Sequence, residues 1–455
     1  MKKELERIGL SEITVKAWRG HLNLIREKLR DAERNSKEVE RYYDDGIVGK
    51  KKSANENNDP ALILSFGSIR VLGQLYFVLE NIFDGHKHLK DYRMVVWSEA
   101  KRDEQRVVLN LGFWCLNPAV VFGPMIAQAR SVILSSGTLS PMETFATELA
   151  TGFEQKLEAL HVIDSQKQLW AGAFSFGPSA SLELRGTFGE LEKFQFQDDI
   201  GKSILDICTV VPYGVLCFVP SYSFLDKLVK RMRVTGVYDS ISQKKEVFIE
   251  PRAGGAKDFE KIIKRYYQSI QKVQENPPRN AISRNGALFF AVFRGKVSEG
   301  LDFVDENARA VISIGIPYPS IKDEKIVLKR EYNDKRAADG QEKLLNGQQW
   351  YEKQAFRAIN QALGRCIRHK DDWGAIILLE SRFHQARNVE QLSRWIRPCI
   401  KPYKDYQLGL TSLRAFMKEK YPQGMVPINT NHDSKQDVDG NSESSSSDSE
   451  LDIYE

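Results

Sequence analysis

Four segments of this 455-residue chain combine residue types that can handle phosphate. The first, Ser135-Ser136-Gly137-Thr138-Leu139-Ser140-Pro141, follows the apolar run 131–134. Hydroxyls and backbone N–H groups at the carboxyl end of a buried strand are where α/β sheets hold anionic ligands. The same Ser and Thr would also serve as plain helix caps. The second, Phe293-Arg294-Gly295-Lys296-Val297-Ser298-Glu299-Gly300-Leu301-Asp302-Phe303, follows the run 287–292. Its glycines let the backbone approach a ligand, and Arg294 and Lys296 can meet phosphates. Glu299 and Asp302 can accept from a ribose or hold a water; a polar loop with two turn glycines is the plainer alternative. The third is Gln361-Ala362-Leu363-Gly364-Arg365-Cys366-Ile367-Arg368. Helical spacing puts Gln361, Gly364, Arg365 and Arg368 on one face. Glycine costs about 1 kcal/mol against alanine inside a helix, so a close approach is the reason to look for. Two guanidiniums so spaced make a bidentate receptor for a triphosphate, and an Arg aimed at a γ-phosphate stabilises the charge of phosphoryl transfer. A solvated basic helix face is the ordinary alternative. The fourth, Ser221-Tyr222 after the run 215–219, offers a helix cap, its amides and an exposed aromatic to a nucleic-acid phosphate. Trp350, Tyr351 and Phe356 read as packing residues.

These segments need elements that bring them together. Apolar runs at 131–134, 215–219, 247–249, 287–292, 310–314 and 375–379 alternate with helical patterns near 221–234, 257–274, 323–336, 349–369 and 384–397. Strands apolar throughout are buried on both faces, and with intervening helices they predict an α/β fold with a parallel sheet. Before them, Leu10, Ile13, Ala17, Leu22, Ile25 and Leu29 at helical spacing predict two short helices or one bent one. Residues 50–60 read as a polar loop and 69–82 as a helix; no catalytic chemistry is visible in this first part.

Composition bounds the function. Hydrophobic residues make up 42% of the chain, enough to bury a core, which excludes a wholly disordered or collagen-like protein. No stretch reaches the roughly 18 uncharged apolar residues of a membrane helix, and 1–7 has no apolar core behind it to read as a secretory signal. Net charge is +5, but 427–455 holds eight acids and one Lys, leaving 65 basic and 53 acidic residues, or +12, in the body. A basic body with an acidic tail suits a polyanion partner. The five cysteines include no C-x-x-C pair, so neither a disulfide framework, a metal site nor four thiolates for an iron–sulfur cluster is foreseen. A phosphate-cradling loop is missing too: Gly201-Lys202-Ser203 has Phe196 where the first glycine belongs.

The first three segments occur in order, and together they resemble motifs III, V and VI of the XPD-like superfamily-two DNA helicases, the iron–sulfur branch. Residues 349–360 and Asn117-Pro118-Ala119 add to the likeness, which covers roughly 65–425. The resemblance implies RecA-like motor lobes with ATP and Mg²⁺ in the cleft between them. It makes 1–99 a helical segment of the arch insertion and 100–150 the end of the first lobe. It makes 151–195 a connecting segment, 196–426 the second RecA-like lobe and 427–455 a disordered acidic tail. By resemblance Arg365 and Arg368 contact the nucleotide phosphates, with Gln361 positioning the γ-phosphate or attacking water. Gly300, Asp302, Glu299 and Gly364 line the nucleotide side. Lys296, Ser298 and Arg294 lie toward the DNA backbone, Ser221 and Tyr222 match the strand-gripping motif IV, and Ser136, Gly137 and Thr138 couple hydrolysis to strand contact. Walker A, DEAH and the four cluster cysteines of the family have no match here. The expectation is therefore the C-terminal motor portion of a nuclear 5′–3′ DNA-repair helicase. It would act on single-stranded or forked DNA with DNA-repair proteins, and be inactive as an ATPase on its own. The alternative is a catalytically inactive nucleic-acid or protein binding module.

Overall fold

The computed structural model describes residues 1–35, 66–83, 88–101, 106–137, 139–252, 255–277, 283–298, 301, 303–339 and 345–422. The acidic tail, the 50–60 loop, Thr138, Glu299, Gly300 and Asp302 lie outside the described residues. A small N-terminal assembly comes first: α1 (Lys2–Arg7), α2 (Glu12–Asn35), α3 (Phe66–Phe83) and an antiparallel hairpin of β1 (Tyr92–Lys101) and β2 (Arg106–Cys115). Its core is Leu5, Val15, Leu79, Ile82, Phe83, Tyr92 and Val120. The helices at 1–35 form, with Leu22 buried as the spacing predicts, but Val15 is buried where Ile13, 80% exposed, was expected. The hairpin is not foreseen in the sequence. Next come α4 (Ala119–Ile126) and α5 (Glu143–Glu148). The run 131–134 is not a strand; Ile133 is 87% exposed. Among the described residues no strand lies beside it to complete a ladder, and unpaired backbone groups do not hold an extended segment in a sheet.

The large unit is a seven-stranded sheet in the order β5-β6-β4-β7-β8-β3-β9, every pairing parallel. Its strands are β3 (Leu169–Phe174), β4 (Tyr213–Val219), β5 (Glu246–Ile249), β6 (Gly286–Val292), β7 (Ala310–Ile314), β8 (Gly374–Leu379) and β9 (Ile400–Tyr403). The five apolar runs from 215 onward are thus strands, as their patterning predicts. Alternate side chains feed two cores. Leu216, Phe218, Phe289, Val311 and Ile376 pack under α9 (Ala256–Glu275) and α11 (Gly347–Leu363). Val215, Cys217, Phe290, Ile312 and Ile377 pack under α6 (Phe194–Val210), α7 (Tyr222–Val234), α8 (Val237–Lys244) and α12 (Tyr406–Lys420). Burial on both faces is the reason the central strands are apolar nearly throughout, with Ser313 of β7 a buried exception. α10 (Glu324–Ala338) packs against α11.

Three expectations are corrected here. Residues 151–195 are not merely a connector, because β3 sits inside the sheet between β8 and β9. The helix foreseen at 349–369 ends at Leu363. The one foreseen at 384–397 is broken into single turns at Ser381–His384, Ala386–Val389 and Arg397–Cys399. There the N–H of Ser393 donates to the side chain of Asn360 at 2.9 Å rather than to its own helix. No helix among the described residues is long and apolar enough to cross a membrane.

Candidate nucleotide and nucleic-acid site

α11 opens with a capping box, Asn346 and Gln349 exchanging backbone and side-chain bonds. It closes on Gly364, whose N–H reaches Asn360 O at 2.9 Å. Arg365 and Arg368 therefore lie in the turns beyond the helix, not on its face with Gln361 as the spacing implied. The turns bring them together in another way. The Arg365 guanidinium donates to Ser298 O at 2.5 Å and to Leu301 O, and Arg368 donates to Leu301 O at 3.3 Å. Both cations thus converge on the backbone of the second segment, 293–303. Gln361 is half-buried in the last turn of α11, and Gly364 is its cap.

A buried network fixes the Arg368 turn. Asp372, 1% exposed, accepts from Arg368 N (2.9 Å), Trp373 N (2.9 Å) and the Arg309 guanidinium (2.7 Å). Arg309 stacks over Trp373 and pairs with Glu306 at 3.1 Å. Asp305, His369 and Asp372 bring candidate ligand atoms within 4.8 Å of one another. Arg309 and backbone donors already engage Asp372, and Asp305 bonds His369 at 2.8 Å, so this is a salt-bridged cluster.

A second group gathers where β4, β5 and β6 end. Ser221 Oγ caps α7, accepting from Phe224 N at 3.2 Å. Tyr222 was expected to be exposed; it is half-buried, its hydroxyl donating to Glu250 at 3.1 Å. Arg294 takes a left-handed φ of 62° in the tight turn leaving β6, and its guanidinium donates to Gln354 O at 3.0 Å. Lys296 is exposed, its ammonium 5.5 Å from the Phe259 ring centroid. Ser298 departs from the expectation: it is 1% exposed and its hydroxyl donates inward to Val292 O, so its side chain cannot face a DNA backbone. Its carbonyl instead holds Arg365.

The first segment meets α11 just after the predicted coupling residues. Asn360 donates to Ser140 O at 3.2 Å, Arg357 to Thr144, Trp350 to Glu148 at 2.7 Å, and Lys353 lies 3.5 Å from Glu143. Ser136 and Gly137 are exposed immediately before this docked stretch. Glu250, Asn360 and Asp372 were missed in the sequence, because no spacing distinguishes them from their polar neighbours.

Residues 204–399 match the helicase C-terminal domain family. The chain is 43% identical over 381 residues to the Fanconi anemia group J protein homolog of Gallus gallus, covering 78% of this chain and 29% of that protein. It is 43% identical over 289 residues to a regulator of telomere elongation helicase 1 homolog of Drosophila persimilis, covering 63% of this chain and 27% of that protein. The chain thus spans less than a third of the length of these curated relatives. A solved apo XPD structure aligns over 75% of this chain and 63% of its own, at 16% identity and a TM-score of 0.46.

Proposed function

We propose, from the match of residues 204–399 to the helicase C-terminal domain family, that the chain is the C-terminal motor portion of an ATP-dependent 5′–3′ DNA helicase of DNA repair, working in the nucleus on single-stranded or forked DNA. The observation that carries the reading is the convergence of Arg365 and Arg368 on the carbonyls of Ser298 and Leu301. Guanidiniums anchored this way lose little further freedom when they meet a γ-phosphate, which supports a role in stabilising transferred charge. The Walker A and DEAH half, with its Mg²⁺, would come from a first lobe. Ser221, Tyr222, Arg294 and Lys296, at the far ends of β4 and β6, would track a DNA strand through its phosphates, with little sequence preference. DNA-repair proteins would be its partners.

The test is a paired measurement of labelled single-stranded DNA binding and DNA-stimulated ATP hydrolysis. The chain as given is expected to bind DNA without turnover. A version extended through a first lobe is expected to hydrolyse ATP, and Arg365→Ala or Arg368→Ala in it should lower turnover by roughly 10³ or more while leaving nucleotide-free DNA binding intact. Turnover that survives both substitutions would refute the assignment. DNA binding without turnover in the extended protein would instead make this a binding module.

A further inference from the structure

Glu250 is the residue that follows β5, and it is 2% exposed. Its carboxylate accepts three hydrogen bonds: from Lys296 N at 2.6 Å, Val292 N at 2.9 Å and the Tyr222 hydroxyl at 3.1 Å. A buried carboxylate is tolerated only when donors surround it, and these three come from two different strand ends. The fit is close. A Cβ on Gly295 would stand 2.3 Å from one carboxylate oxygen, so only glycine lets the 293–298 turn wrap it. The two expected strand-gripping side chains, Tyr222 and Lys296, lie some 70 positions apart in sequence. They are held in register by this one side chain.

We infer that Glu250 is a positioning residue that sets Tyr222 and Lys296 in the geometry with which they grip a DNA strand. The inference rests on the reading that DNA crosses this edge. Electrostatics gives it a decisive sign. Deleting a negative charge beside a polyanion site strengthens binding on Coulombic grounds, whereas losing a positioning group weakens it.

The experiment measures single-stranded DNA affinity of the chain against salt for wild type, Glu250→Gln, Lys296→Ala and the double variant. Glu250→Gln is expected to weaken binding about tenfold and to flatten the slope of log K against log salt by about one phosphate contact. On the Lys296→Ala background it should add much less than tenfold, a non-additivity that general destabilisation does not produce. Gly295→Ala, which displaces the carboxylate, should reproduce the loss. If Glu250→Gln fails to fold, Gly295→Ala carries the test: weaker DNA binding by the folded variant supports the inference, and unchanged affinity overturns it. Unchanged or tighter binding by folded Glu250→Gln, with Lys296→Ala weakened, overturns the inference alone. Absence of DNA binding by wild type, or no effect of Lys296→Ala, overturns the reading of the edge and the inference with it.

Discussion

Arg309 is 3% exposed, and its charge is answered by Asp372 and Glu306. Removing one partner of a buried pair leaves an uncompensated charge, which costs about 3–5 kcal/mol. Asp372→Ala is therefore expected to destabilise the sheet unit by that amount in denaturant titration. A loss under 1 kcal/mol would show that the pair is solvated in practice. Lys245 is a different case: fully buried, with its ammonium donating to Val211 O and Tyr213 O, both at 2.7 Å. Burial pushes its pKa down to about 7, with Cys208 acting weakly the other way. Between there and its ordinary value of 10.5 the unfolded chain binds a proton that the folded chain lacks. Stability therefore rises with pH across that window, and the cost of burying the amine is fully present below it. The stability of wild type minus that of Lys245→Met should climb from pH 7 to pH 9; a flat difference would contradict this. Neither residue announces itself in the sequence, because Lys245 follows Lys244 and Asp372 follows Asp371, and nothing local tells the buried member of each pair from its neighbour.

At the scale of elements, α11 joins the 140–148 segment to the sheet unit. Trp350, Lys353, Arg357 and Asn360 recur at alternating steps of three and four, which stacks them in one stripe along the helix. That stripe receives residues 140–148. Asn360 is its most committed member: it is 1% exposed, donates to Ser140 O and Gln391 O, and accepts from Ser393 N. Truncation would orphan these buried groups at about 1–3 kcal/mol. Asn360→Ala is expected to speed amide hydrogen exchange across 140–148 while β4 stays protected; equal protection in both would show that the stripe does not hold the segment. The central strands were legible because burial on both faces demands unbroken apolar runs. β3 was not, since its core is Ala171-Gly172-Ala173 and its partners β8 and β9 lie about 200 residues away. β9 was hidden by its length and by Pro402, which an edge strand tolerates.

Across the whole molecule, charge and architecture are separable. The body carries +12 against a tail of eight acids and one Lys. Truncation at Val426 should tighten single-stranded DNA binding at low salt, and the gain should fade as the Debye length shrinks below about 10 Å near 0.1 M. Binding that is indifferent to the tail at every salt would show that the tail does not compete for the basic surface.

The linear chain dictated the α/β class, five of the seven sheet strands, and the three segments whose order carries the family likeness. Those properties follow from local composition and period. Folding alone decided that Arg365 and Arg368 lie in turns past the end of α11, that Ser298 faces inward, and that Glu250 ties Tyr222 to Lys296. Each of these depends on which distant strand becomes a neighbour, and a pairing energy between remote residues leaves no periodic trace in either of them.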